Sequence, residues 1–168
     1  MRARTPLMPF TPYHFGPGLA LHAAAPRRVD LASFCAANVL TDVEPLYRMI
    51  AGVHPAHGFF HGFLGATITA AATAVAFLAA RARRPDWFRW QAPGAWPVVL
   101  GALLGTWSHV VLDGIMHGNV HPFTPFSDAR PFFFRGSGLA VEVTCVAAAL
   151  VGALTLWLRH YLATRRAP

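Results

Sequence analysis

Three stretches of this chain stay apolar for as long as a helix needs to cross a bilayer. Residues 62–80 contain no charged side chain and end at Arg81, Arg83 and Arg84. Residues 95–112 hold His109 as their single ionisable group, and residues 138–158 hold Glu142 as theirs. Each reaches the roughly 17 to 25 residues that a spanning helix requires. Two shorter apolar segments, 19–25 and 31–40, are separated by Pro26, Arg27 and Arg28, with Asp30 placed to cap the second. Neither is long enough to span, so both read as interfacial or re-entrant helices. The pattern predicts an all-α integral membrane helical bundle, with about three spanning helices and short N-terminal helices, forming one domain over 1–168. The connections are predicted over 1–18, broken by prolines at 6, 9, 12 and 17, over 81–94, which is basic, and over 118–137, rich in proline and phenylalanine.

Composition sharpens this picture. Hydrophobic residues make up 55% and charged residues 12%, about half the charged share of a typical soluble domain. Mean hydropathy is +0.41. The competing arrangement is a soluble bundle with very apolar buried helices. The net charge of +7 comes from fourteen arginines and no lysine. They sit at the ends of apolar segments, where topology signals belong, and form no basic stripe interleaved with aromatics, so nucleic acid is not expected as a partner. Cys35 and Cys145 lie within apolar stretches and read as small buried hydrophobes. The start, Met1 to Arg4 followed by apolar residues and Ala23 to Ala25, imitates a signal peptide. Its prolines interrupt the hydrophobic region, so cleavage is not expected.

If the three long helices alternate in direction, Arg81, Arg83, Arg84, Arg89, Arg159, Arg165 and Arg166 share one side, and Arg48, Arg130 and Arg135 share the other. The larger set belongs in the cytoplasm. That orientation brings His57, His61, His109, Asp113 and Glu142 to the non-cytoplasmic end. Gly101 and Gly105 lead into His109 and Asp113 at intervals of four, and Gly58, Gly62 and Ala66 make a similar stripe beside His57 and His61. Small-residue stripes let membrane helices approach closely, so the two spans are expected to pack along these faces.

The chemistry concentrates in the same places. His109, Asp113 and His117 recur every four residues and fall on one helix face. Imidazole and carboxylate together suit a borderline divalent cation, zinc first and manganese second. The plain alternative is a His–Asp hydrogen-bonded pair at a helix end. His57 and His61 repeat the i, i+4 spacing. Asp42 and Glu44 follow an apolar helix where the backbone turns, with Asp42 a terminal or bridging ligand and Glu44 a second ligand or an orienting group. His14, His121 and Glu142 are secondary candidates, and His54 reads as an interfacial loop residue.

In order, His14, Asp42-x-Glu44, His57-Gly-Phe-Phe-His61 and Ser108-His109-Val-Val-Leu-Asp113, before a Pro/Phe-rich loop, resemble the membrane-bound metal-dependent hydrolases that include the LexA-regulated inner-membrane hydrolase-like proteins. The similarity spans about residues 10–128. The family often shows Asp-x-Asp-His where this chain has Asp42-Val43-Glu44-Pro45. The family is distantly similar to zinc-dependent phospholipases C and single-strand nucleases. The resemblance implies a phosphoesterase-like centre in a bacterial inner membrane, acting on a lipid or lipid-linked phosphate. The ligand set it implies is His14, Asp42, His57, His61, His109 and Asp113, with His117 next, and Asp42 or Glu44 as acceptor of a proton from water. A structural metal site without catalysis and a metal or proton transporter are the rival classes.

Overall fold

The structure, a computed structural model, describes residues 12–88 and 94–165. It contains six α-helices among these residues and no strand: α1 Phe15–Ala24, α2 Leu31–Thr41, α3 Val43–Ile50, α4 Phe63–Arg83, α5 Ala95–Met116 and α6 Gly138–Arg165. Short 3₁₀ turns lie at Pro12–His14, Phe59–His61 and Pro85–Phe88. Helices α4, α5 and α6, of 21, 22 and 28 residues, are long and apolar enough to cross a membrane. The all-helical bundle with three potential spans is therefore as expected, and α6 runs further than residue 158.

The N-terminal stretch differs from expectation. Residues 1–11, Arg89 and Arg166 lie outside the described residues, and so do the readings that rest on them, including the signal-like start. Residues 12–18 are helical rather than irregular, because Pro12 opens a 3₁₀ turn and Pro17 falls in the first turn of α1. The first-turn amides of a helix have no intrahelical partner, so proline costs nothing there. Asp30 does cap α2, accepting from the Ser33 amide at 2.7 Å.

The register between α2 and α5 decides where the site falls. The two helices run parallel, their starts tied by the Asp30 amide donating to Pro97 O at 3.1 Å and Ser33 Oγ donating to Val98 O at 3.0 Å. A Cβ on Gly101 would collide with Asp30 O, and one on Gly105 would lie 2.5 Å from Phe34 O. The next rung pairs His109 Nδ1 with Asn38 Oδ1 at 3.1 Å, and one turn further Asp42 comes level with Asp113. The α5 glycine stripe thus serves α2, not α4 as the spacing suggested. The companion stripe also dissolves, since Gly58 and Gly62 precede α4. Beneath this ladder, Ala37, Ala70, Ala74, Val98 and Ala102 make a small-residue core between α2, α4 and α5.

Helix α6 packs mainly on α1. Its outer side exposes Leu139, Val143, Leu150, Leu154 and Trp157, an apolar face suited to lipid. The 118–137 segment is a loop as expected. Phe123 and Phe132 meet the Phe63 ring, and Phe123, Phe126 and Phe134 are exposed.

Candidate metal centre

Asp113 is the hub. It stands near the end of α5, buried, and five imidazole Nε2 atoms lie within 4 Å of its carboxylate. Oδ2 faces His109 at 3.3 Å, His61 at 3.4 Å and His57 at 3.5 Å. Oδ1 faces His14 at 3.5 Å and His117 at 3.9 Å. Asp42, where α2 gives way to α3, brings Oδ1 to 3.2 Å from His109 and 3.9 Å from His61.

These donors form two groups that could each hold a metal ion, an inner one of Asp42, His61, His109 and Asp113, and an outer one of His57, Asp113 and His117. Asp113 belongs to both. His14 lies in neither group, yet its ring centroid is 4.4 Å from that of His109, the planes tilted by 53°, and its Nε2 faces Asp113. All seven residues expected as ligands therefore meet at one end of the bundle.

Simple hydrogen bonding does not account for this packing. The Nε2 atoms of His14, His61 and His109 are buried without a hydrogen-bond partner, as are Nδ1 of His14 and His61. An orphaned buried polar atom costs about 1–3 kcal/mol, so these positions favour a bound partner. A cation bound by the inner group would take up the Nε2 lone pairs of His61 and His109. The spacing agrees, because ligands about 2.0–2.1 Å from a tetrahedral ion stand ~3.3 Å from one another. Three contacts in the inner group, of 3.2, 3.3 and 3.4 Å, match that edge, and a fourth, His61 to Asp42, is wider at 3.9 Å.

Burial favours the neutral form of three of the imidazoles. Burial pushes His14 down to about 4 and also lowers His61 and His117, and neutral imidazole is the form that binds metal. Two asparagines complete the arrangement. Asn38 Oδ1 accepts from His109 Nδ1 at 3.1 Å while Asn38 Nδ2 donates to Phe34 O at 3.0 Å. Asn119 Oδ1 meets His57 Nδ1 at 3.1 Å. Each fixes the tautomer that presents Nε2 to the centre. Neither stood out in the sequence, although Asn38 lies one turn before Asp42 on the same helix.

Several expectations change in detail. His57 and His61 converge, but from a loop and a 3₁₀ turn, not from one helix face. His117 lies just past α5 in extended backbone, φ −114° and ψ 117°. Glu44 turns away from the cluster. Its carboxylate accepts from the Phe60 amide at 2.9 Å and pairs with Arg48 at 3.3 Å, so it orients the segment carrying His57 and His61 and is placed neither as a ligand nor as a base. His54 is exposed, His121 meets Asp128, and Glu142 belongs to neither ligand group. Both cysteines are free thiols.

Access is uneven. The side chains of Asp42 and His117 are 19% and 31% exposed, whereas those of His14, His57, His61, His109 and Asp113 are at most 5% exposed. A cavity of about 200 Å³ bordered by His14, Asn38, Asp42 and His109 reaches the inner group. Comparison with known proteins found no matching family, no matching curated protein and no matching solved structure.

Proposed function

We propose that this chain is a membrane-embedded metal-dependent hydrolase that acts on a phosphoester, lipid or lipid-linked, through a zinc-preferring centre of two ions. The observation that carries the reading is the sharing of one buried carboxylate, Asp113, by two groups of imidazole and carboxylate donors. His61, His109, Asp42 and Asp113 hold one ion, and His57, His117 and Asp113 hold the other. Paired divalent cations supply Lewis acidity, acidifying water and offsetting charge on a phosphoryl group. Asn38 and Asn119 orient the imidazoles, and the buried apolar surround keeps bulk water from competing. Asp42, the more open of the two carboxylates, is the acceptor for a proton from water arriving at that edge. The resemblance to membrane-bound metal-dependent hydrolases supports the same assignment. The arginine bias supports a bacterial inner membrane with the centre on the non-cytoplasmic side, opposite the ends that carry Arg81, Arg83, Arg84 and Arg159.

The test is elemental analysis of detergent-purified protein, coupled to a screen of phosphomonoesters and phosphodiesters with and without lipid chains. Two zinc or manganese ions per chain with metal-dependent turnover is the expected result. A full complement of metal with no hydrolysis of any ester sinks the enzyme reading and leaves a structural ion, which the closed four-donor inner group would favour.

A further inference from the structure

Three helices give the same length for the apolar part of the bundle. On α5, the exposed Trp96 and Ile115 stand about 28 Å apart at ~1.5 Å per residue. Helix α6 begins level with Ile115, because Ser137 Oγ donates to Ile115 O at 2.9 Å. From Ser137 to the exposed Trp157 the rise is about 30 Å. Helix α4 is tied at both ends, the Phe63 amide donating to Pro122 O at 2.8 Å beyond α5 and Arg81 donating to Gly94 O at 3.2 Å before it. From Phe63 to Arg81 it rises about 27 Å. The hydrocarbon core of a bilayer is about 30 Å thick. Over this length α4 and α6 expose Ile68, Val75, Val143, Leu150 and Leu154. Glu142, the single acid of α6, is half-buried and lies within two turns of Ser137.

One end of this length carries Trp96, Trp157 and Arg81, groups that suit a membrane interface. The other end is the metal centre. Asp113 precedes Ile115 by two residues, which puts it about 3 Å inside the boundary. Asp42 and His117, the two partly open ligands, face His109 and Asp113 and so share that level. Helix α3 leaves from Asp42 with its charges taken up by the protein: Glu44 pairs with Arg48 and accepts from the Phe60 amide, and Arg48 donates to Pro55 O. Its free face shows Tyr47 and Ile50, 70% and 78% exposed, an uncharged surface that beds between headgroups and chains. We infer that the metal centre lies at the boundary between hydrocarbon and headgroups, and that it takes the phosphate joined directly to the apolar part of a lipid. The choice of substrate rests on the proposed phosphoesterase reading, whereas the depth does not. In a bilayer that phosphate stands just outside the hydrocarbon, so it meets Asp42 and His117 with its chains still in lipid. A phosphate further out on a polar headgroup stands above the centre.

The test places full-length protein loaded with manganese in phosphatidylcholine nanodiscs and reads the paramagnetic relaxation of lipid nuclei. Discs without protein, and discs holding Asp113→Asn, control for manganese on the lipid phosphates themselves. The expected relaxation is greatest at phosphorus and the glycerol carbons. At the chain-terminal methyl, about 15 Å deeper, it should be weaker by about tenfold or more. Relaxation greatest at the terminal methyl, or confined to water, would overturn the inference. A second arm compares an alkyl monophosphate with the same lipid carrying a short ethylene glycol spacer before its phosphate. The spacer is expected to lower kcat/KM by about tenfold or more, because the phosphate no longer stands at the depth of the ions. Equal turnover of both lipids would overturn the selection of the chain-proximal phosphate. A centre found at headgroup depth in a protein that hydrolyses neither lipid keeps the depth and removes only the enzyme reading. Turnover with relaxation confined to water does the reverse.

Discussion

The two ligand groups share Asp113 yet are built differently. In the inner group, His109 and Asp113 stand on α5 and Asp42 at the end of α2, three donors set by helices locked in register; His61 joins from a 3₁₀ turn. The outer group adds His57 from a loop and His117 from extended backbone beyond α5, and His117 is the most exposed of the seven. Four donors around an ion make a closed shell, while three leave a position for water or substrate. The contrast predicts that an ion in the inner group would be held more tightly than one in the outer group, which would exchange more readily.

The most damaging way to break the contrast is Asp113→Asn. It weakens both groups at once, so metal analysis after dialysis should fall from two ions per chain to none; retention of either at wild-type affinity would show that Asp113 is not shared. Next come His109→Ala and His117→Ala, compared side by side. His109→Ala should remove the inner ion and lower thermal stability, because it empties a fully buried position and leaves Asn38 Oδ1 without its partner. His117→Ala should loosen only the outer ion and leave the melting temperature within a few degrees of wild type; equal loss from both variants would mean the groups are not separable.

A smaller effect is expected from the asparagines. Asn38→Ala should weaken the inner ion, and Asn119→Ala the outer, each about 10- to 100-fold in metal affinity measured by chelator competition. Crossed effects would contradict the assignment of each asparagine to its own histidine. Glu44→Gln keeps the shape but weakens the acceptor for the Phe60 amide, so metal affinity should fall by less than tenfold, affecting His57 and His61 together. The smallest effect belongs to Glu142→Gln, where metal content should not change; a loss of either ion would return Glu142 to the ligand set.

Much of this was legible along the chain. The three long helices follow from apolar length, since a helix that stays predominantly apolar over about 20 residues has few other places to go. Asp30 was readable as a cap, and the His109–Asp113 pair as one face of α5, because both depend on residues within one helical turn. His57 and His61 were correctly chosen for a reason that does not hold, as their approach comes from loop geometry and not from helical spacing. Glu44 was ambiguous from sequence between ligand and orienting group, and the hydrogen bond to Phe60 decides for the second. Gly101 and Gly105 were readable as a packing stripe, yet nothing in a period of four says which helix will lie against it.

What the sequence determined by itself is local: which segments are helices, which could span, which helix end carries imidazole and carboxylate. These follow from hydropathy and from the 3.6-residue turn, properties a segment has whatever surrounds it. Only the tertiary structure decided that α2, too short to span, would run parallel to α5 and carry Asn38 and Asp42 up to His109 and Asp113. That choice depends on backbone-to-backbone approach at Gly101 and Gly105 and on the ties at Pro97 and Val98. Contacts between segments some 70 residues apart leave no periodic mark on either one, so the centre exists only once the helices are in register.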